Sequence, residues 1–403
     1  MSTPHLPRAA IVAPTRTPVG RFGGALASMS AVSLATTVVK EVVSQSGIDP
    51  ERIDEVVMGQ SYASSEAPCI GRWVALDAGL PISVSGIQTD RRCGTGLQAL
   101  ATAAMMVQTG VADVVVAGGV ESMSNIEHYT TGARWGTRAG DLQLHDRLDR
   151  GRERSQPQWR FGRISGMIET AENVAEQCGI TREASDELAA ESHRRAHAAW
   201  EAGRFDGEVV PIEVTDRRGK STLVRRDEGI RPLTTPESLA ELRSLRPGGI
   251  VTAGNASQQN DAAAALLVVA EDKLDDLGLE PIGYLEGWSA AGCEPATMGL
   301  GPVAATEKLF SRTGLGFDDF DLVELNEAFA CQVLGVLAQW NWDDRGRLNV
   351  NGSGISLGHP IGATGIRMTT TALHELKRRG GGRALVTMCI GGGQGMAAAI
   401  TTN

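Results

Sequence analysis

A duplicated, layered α/β fold is the architecture this sequence predicts. Three observations carry it. Short aliphatic strands alternate with helical patterns along most of the chain, the mark of layered α/β domains. One arrangement occurs twice: a strand at 53–58 corresponds to one at 322–325, and a glycine-rich loop, long helix and glycine-ended strand at 92–119 recurs at 352–393. A polar, arginine-rich excursion interrupts the first copy. Two such halves place an active site between them, because ligands collect at the C-terminal ends of strands.

The elements follow in order. Ala9–Ala13 is an apolar strand, stopped by the turn residues of PTRTPVGRFGG. Leu34–Ser46 is helical, with Val38, Val39, Val42 and Val43 on one side. Ile53–Met58 is a strand, and Ala67–Ala78 a helix closed by Gly79–Leu80–Pro81. A helical pattern of Leu97, Leu100, Ala101, Ala104 and Met105 runs from Cys93 to Gln108. The buried-type strand Val114–Ala117 follows and opens into GGVESMS, Gly118–Ser124. His128–Arg163 carries eight arginines and few aliphatic residues, so it is solvated rather than core. Ile168–Cys178 and Arg182–Ala202 read as helices, and Thr215–Arg246 as irregular and charged. Order returns with the loop IVTAGNASQQND and the aliphatic, buried Ala262–Ala270. In the second half Gly283–Trp288, Leu322–Leu325, Ala384–Met388 and Met396–Thr401 are strands. Val303–Thr313, Asn326–Trp340 and Ile366–Arg379 are helices, the first stopped by Gly314 and the second begun by Asn326, an N-cap type. The implied division is residues 1–120 with 249–273, the excursion 121–248, and 274–403.

Composition narrows the function classes. A chain of 403 residues is long enough for about two or three domains. A net charge of −10 and a pI near 5.3 argue against nucleic acid as the main partner, yet leave room for a phosphorylated small molecule on a local basic patch. No two of the six cysteines stand in a C-x-x-C spacing, which argues against zinc, iron–sulfur and disulfide frameworks. His193 and His197 are spaced i, i+4, but Arg194 stands where a zincin needs Glu, so the pair is read as a solvated helix face and no metal is expected. The N-terminus lacks an apolar signal region, no window reaches 18 apolar residues, and AAAITTN is not the S-K-L address. A cytoplasmic protein with reduced thiols is expected.

Four stretches carry chemistry. In QTDRRCGTGLQAL, Cys93 precedes a helix whose first turn is nearly bare, beside Arg91 and Arg92. A helix N-terminus favours a thiolate; the alternative is a small buried hydrophobe. In ELNEAF, Asn326 and Glu327 follow directly on a strand. In NVNGSGISLGHPIGATG, His359 lies in a glycine-rich loop, where it can act as a general base near neutral pH. GISLG fits a serine-hydrolase elbow in letters only, because His-Pro follows instead of a helix. In CIGGGQG, Cys389 ends a buried strand and consecutive glycines offer N–H groups to an anion. The Rossmann fingerprint fails there, since Met396 replaces the last glycine. Two cysteines, a loop histidine and a strand-end asparagine among bare glycines point to thiol-based acyl chemistry.

These motifs also occur together in one family. PTRTPVGRFGG, GGVESMS, TAGNAS, GPVAATEKL, NEAF, GHPIGATG and CIGGGQG stand in the order found in thiolases, and the chain resembles that family over nearly its whole length. The resemblance implies the thiolase fold, five αβαβα layers with an inserted loop domain, here 121–248, along which CoA lies. It implies an acyl-CoA C-acyltransferase that makes or cleaves 3-ketoacyl-CoA by a ping-pong route through an acyl-cysteine. Cys93 would be the nucleophile, His359 the base that takes its proton, and Cys389 the base or acid at the α-carbon of the second acetyl-CoA. Asn326, through a water, and His359 would hold the enolate; the N–H groups of Cys93 and Gly391 would hold the tetrahedral intermediate. Arg231, Ser238, Ser257 and Met167 match positions that meet CoA or its acyl group. No cofactor beyond the substrate CoA, no metal, nucleic acid or membrane is implied, and the family is dimeric or tetrameric.

The sequence departs from the family pattern at Asp90 (usually Asn), Thr95 (usually Ser), and Gln258 and Ala262 (usually Gly). Gly166, Met167 and Ile168 stand where short-chain biosynthetic members often carry His-Met-Gly, which argues against acetoacetyl specificity. A decarboxylating ketoacyl synthase is the nearest alternative. Cys389 and the NEAF asparagine favour thiolase, and the four filled reactive positions argue against a silent scaffold or lipid carrier.

Overall fold

The computed structural model describes residues 6–215 and 219–402. Residues 1–5 of the N-terminus read above, 216–218 of the charged stretch and Asn403 lie outside them.

Nine strands build the main sheet: β1 (Ala9–Arg16), β2 (Glu55–Gly59), β3 (Ser85–Thr89), β4 (Val114–Ser122), β5 (Asn260–Ala270), β6 (Gly283–Gly292), β7 (Leu322–Leu325), β8 (Gly382–Ile390) and β9 (Gln394–Thr402). Their order is β7-β8-β9-β6-β1-β5-β4-β2-β3, and the short strand Gly20–Arg21 adds to β5. The principal helices are α1 (Ala31–Ser46), α2 (Ile70–Asp77), α3 (Thr95–Gln108), α4 (Arg147–Glu153), α5 (Met167–Cys178), α6 (Arg182–Glu201), α7 (Pro236–Ala240), α8 (Gly301–Thr313), α9 (Ala330–Trp340) and α10 (Thr364–Arg379).

The duplication is visible in the pairing. β2 runs parallel to β4, and β7 parallel to β8; β4 then pairs antiparallel with β5, and β8 with β9. The halves meet where β1 and β6 pair antiparallel over Ala9–Ile11 and Gly283–Leu285. Strand alternation sorts the side chains into layers. Ala264, Leu266 and Val268 of β5 and Val386, Met388 and Ile390 of β8 face α3 and α10 in one inner core. Ala263, Ala265, Leu267 and Val269 turn outward onto α1 and α2, while Leu385, Ala397 and Ala399 turn outward onto α8 and α9. The result is αβαβα, as the resemblance implied.

The two inner helices touch at glycines. A Cβ on Gly96 of α3 would stand 2.9 Å from Gly362 O and 2.9 Å from Ile366 N, and one on Gly365 would drive into Leu97 N. Only bare backbone permits this approach, and it brings the loops before α3 and α10, with Cys93 and His359, to the same place.

Arg16, in the PTRTP turn, is buried with two carboxylates. Its Nε donates to Glu208 at 2.6 Å, and its Nη1 and Nη2 donate to Asp227 at 2.8 and 3.1 Å. Asp227 also accepts from Val19 N at 2.8 Å, and across the same corner Arg16 N donates to Glu208 O and Val210 N donates to Arg16 O, each at 2.8 Å. This cluster ties the first half to the excursion.

Some elements differ from expectation. β4 continues through GGVES to Ser122, because β5 pairs with it along its whole length. α9 starts at Ala330, four residues after Asn326, whose N–H instead bonds Thr387 O and extends the sheet. Asn326 is therefore not an N-cap. His193 is buried rather than solvated; its Nδ1 accepts the Arg231 N–H at 3.2 Å.

Candidate active site

A cavity of about 1310 Å³ opens between the halves and the excursion. Cys93, His359, Cys389, Gly391, Met167 and Ser257 all line it. Asn326, Arg231 and Ser238 do not.

Cys93 sits in a 3₁₀ turn, Arg92–Gly94, directly before α3. The turn is forced: Arg92 has φ 49°, a left-handed value unusual for a side-chain-bearing residue. Asp90 Oδ1 accepts Arg92 N at 2.7 Å, Thr95 Oγ1 accepts Arg91 N at 2.7 Å, and Ser61 Oγ donates to Arg92 O at 3.0 Å. Asp90 serves here as an acceptor, a role an amide oxygen shares. Thr95 supplies the hydroxyl a serine would. Both departures thus keep the bonds that shape the turn.

Burial pushes the Cys93 thiol above its ordinary pKa, although the N–H groups of Gly391 and Cys93 and the charges of Arg92 and Arg152 act to lower it. This corrects the expectation of a helix-terminus thiolate: loss of water outweighs the favourable dipoles. The nucleophile rests as a thiol and needs a base.

His359 is positioned to be that base. Its backbone N–H donates to Asn260 Oδ1 at 2.9 Å, and Arg367 Nη2 lies 3.4 Å from Gly358 O beneath the loop. Its Nδ1 lies 2.7 Å from Thr364 Oγ1, which donates its one proton to Pro360 O at 2.8 Å. Thr364 must then accept from the ring, so Nδ1 carries the proton and Nε2 keeps its lone pair. Nε2 is buried and has no partner among the described residues. Burial pulls the imidazole down to about 3, helped by the charges of Arg367 and Arg152, so the ring is neutral at pH 7.

Cys389 is fully buried at the end of β8, among Ala256, Met298, Ala328 and Phe329. Burial raises its pKa well above the usual thiol value. Gly391 lies two residues on; a Cβ there would press on Arg92 Nε at 3.2 Å and Met167 Sδ at 3.3 Å, so bare backbone fits here without moving either side chain. Asn326 stands behind this wall, buried, with neither side-chain polar atom bonded.

The CoA positions divide. Met167 begins α5 and Ser257 is the serine of GNAS, both on the cavity wall. Gln258 lines it too and ties Gly229 O to Ile355 O, each at 3.1 Å. Arg231 is exposed outside the wall. Ser238 caps α7, its hydroxyl donating to Thr235 O at 2.8 Å and accepting Thr235 N at 3.0 Å.

Sequence reasoning missed Glu121, although GGVESMS was singled out. Its buried carboxylate accepts N–H groups of Ser61, Tyr62 and Gly362 at 3.1, 3.2 and 3.0 Å. It joins the first half to the histidine loop, and burial raises it to about 7 against those bonds. The alternating strand position hid it. Among the described residues no group of three or more His, Cys, Asp or Glu is arranged to hold a metal ion.

The comparisons with known proteins agree with this geometry. The sequence profile described as "Thiolase, N-terminal domain" matches residues 9–272, and "Thiolase, C-terminal domain" matches 279–402. The acetyl-CoA acetyltransferase of Chromobacterium violaceum is 44% identical over 393 residues, 97% of this chain and 98% of that protein. The crystal structure of the Bacillus anthracis acetyl-CoA acetyltransferase superposes with a TM-score of 0.95 at 42% identity, covering 100% of both chains. Human mitochondrial 3-ketoacyl-CoA thiolase in complex with CoA superposes with a TM-score of 0.92 at 38% identity, covering 98% of each. By sequence, by fold and by the thiols and imidazole gathered on one cavity, the chain belongs to the thiolase family of acyl-CoA C-acyltransferases.

Proposed function

We propose that this enzyme moves an acyl group from acyl-CoA to Cys93 and then to the α-carbon of a second acetyl-CoA, and runs the reverse thiolysis by the same steps. The observation that carries the reading is the free lone pair of His359 Nε2 on the cavity that holds the protonated Cys93. Nε2 takes the Cys93 proton as the sulfur attacks the thioester carbonyl. The oxyanion forms where the N–H groups of Cys93 and Gly391 converge on the sulfur; one such donor is typically worth about 10²–10³ in rate. CoA leaves as the tetrahedral intermediate collapses. His359 gives the Cys93 proton to the departing CoA sulfur. Cys389 then passes its own thiol proton to the free imidazole and, as a thiolate, takes the α-proton of the second acetyl-CoA. The carbanion attacks the acyl-Cys93 carbonyl, and the released Cys93 sulfur recovers its proton from His359. The unbonded Asn326 amide supports a water that reaches from it to the enolate oxygen.

CoA enters along the excursion 121–248, with Met167 and Ser257 at the acyl and pantetheine end and Arg231 and Ser238 towards the solvent end. No further cofactor is needed for these steps. Six unpaired cysteines support a reducing, cytoplasmic setting. Among the described residues no helix is long and apolar enough to cross a membrane.

The pocket favours acyl chains longer than acetoacetyl. Gly166 lines the cavity, and the nearest atom to a Cβ placed there is Arg152 Cβ at 3.9 Å, so no side chain fills the space. The test is kcat/KM for thiolysis across 3-ketoacyl-CoAs of increasing length. Activity persisting or rising from four to six acyl carbons is expected; its disappearance would mean other residues close the pocket.

A homodimer or homotetramer is proposed as well. β3 is a sheet edge paired only with β2, and Trp73, Leu76, Ile82 and Ile87 lie exposed around it. Such an edge invites a second copy. Sedimentation at micromolar protein should show no 42.5 kDa monomer as the main species; a lone monomer would sink the proposal.

A further inference from the structure

The excursion brings arginines to the cavity; Arg150, Arg152 and Arg154 have no ion pair or side-chain hydrogen bond among the described residues, and of these Arg152 lies against Gly166. Arg92, Arg147, Arg150, Arg152 and Arg154 all lie on its wall. Arg147 pairs with Glu127 at 3.0 Å, and Arg92 Nη2 donates to Gly151 O at 3.0 Å. Two nearby acids are taken by other arginines: Glu153 by Arg163 at 2.6 Å and Glu169 by Arg246 at 3.3 Å. Arg154 is exposed at the rim, and Arg150 lies 5.8 Å from the Tyr129 ring. Arg152 is half-buried, and its guanidinium has no ion pair or hydrogen bond among the described residues.

Its place is the acyl end of the cavity. The Arg92–Gly151 bond fixes the residue before it against the nucleophile's turn. Its Cβ faces the space left open at Gly166. Its charge acts on Cys93, His359 and Tyr62 together, after burial, which dominates at each. The phosphates of CoA are kept from the sulfur by the length of the pantetheine arm, so a cation at the Gly166 side of the cavity meets the acyl group instead. A half-buried guanidinium facing open space is suited to bidentate pairing with a carboxylate.

We propose that Arg152 binds a carboxylate at the far end of the acyl chain, so that the preferred substrate is a 3-ketoacyl-CoA with an acidic tail. This rests on the acyl-CoA reading above and names the substrate class of that same site. The open space at Gly166 gives the chain its path, and Arg152 gives it its end.

The experiment compares thiolysis of 3-ketohexanoyl-CoA with that of the same chain carrying a carboxylate in place of its terminal methyl. Both have the same CoA, so the ratio of their kcat/KM values isolates the tail. The native enzyme should prefer the acidic chain. Arg152→Gln should lower that ratio roughly 10- to 100-fold, the loss expected for a charge-assisted pair, and Arg152→Lys should lower it less. A ratio unchanged by Arg152→Gln, whatever happens to the absolute rates, overturns the proposal and assigns the guanidinium to CoA or to the fold. A native enzyme that prefers the neutral chain overturns it as well. Turnover of neither substrate, or of any shorter 3-ketoacyl-CoA, overturns the acyl-CoA reading itself and this inference with it.

Discussion

Cys389→Ala is expected to take up an acetyl group from acetyl-CoA, and Cys93→Ala is not. The two thiols share a cavity but not an environment. Two N–H groups, those of Gly391 and Cys93 itself, point at the Cys93 sulfur. Cys389 lies in an apolar wall and has only its own N–H. The acyl group is therefore stabilised on Cys93. His359 Nε2 activates that sulfur whether or not Cys389 is present. Without Cys389 the α-proton has no acceptor, so condensation and thiolysis of a 3-ketoacyl-CoA should fall by about 10²–10⁴ or more. Intact-protein mass spectrometry after incubation with acetyl-CoA reads the first step alone. An adduct on Cys93→Ala and none on Cys389→Ala would show the two roles exchanged.

Arg16→Met should destabilise the fold by about 3–5 kcal/mol, since it leaves Glu208 and Asp227 buried without their cation. Asp227 keeps only Val19 N and the Trp200 indole N–H, and Glu208 keeps the Thr371 hydroxyl. The loss comes from the uncompensated carboxylates more than from the missing pair itself. A urea midpoint measured at pH 7 gives the number, provided the slope is unchanged. A loss under about 1 kcal/mol would mean that protons or water satisfy the acids, and that the cluster does not fasten the excursion to the first half.

The fold was largely legible because its strands and helices differ in period. Val38, Val39 and Val42 of α1, and the repeated strand–helix pattern, needed no tertiary knowledge. β3 was not legible: Ser85–Thr89 holds a single large apolar residue, Ile87, because it is an edge with little to bury. β5 was recognised as buried but not as a strand, since alanine-rich runs carry no period of two. At the site, the motifs located the two cysteines and the histidine. They could not show that burial keeps Cys93 protonated, because the dipole argument sees the helix end and not the water lost around it. Glu121 and Thr364 orient the histidine loop through bonds to residues far apart or inside a glycine-rich run, which spacing alone does not reveal. Arg152 was counted among eight arginines of a solvated excursion. Nothing in that stretch distinguishes the arginine that lies against Gly166 from the others that line the cavity or pair with neighbours.

Zero clearance between α3 and α10 also governs motion. With Gly96 against Gly362 and Ile366, and Gly365 against Leu97, the halves cannot rock about one another without separating or crushing bare backbone. Cys93 and His359 are carried on the loops that enter these helices, so thermal displacement of one is shared by the other and their separation is conserved. The lighter wall of the cavity is α4 and the start of α5, where Arg92 and Gly151 share one hydrogen bond between that wall and the catalytic floor.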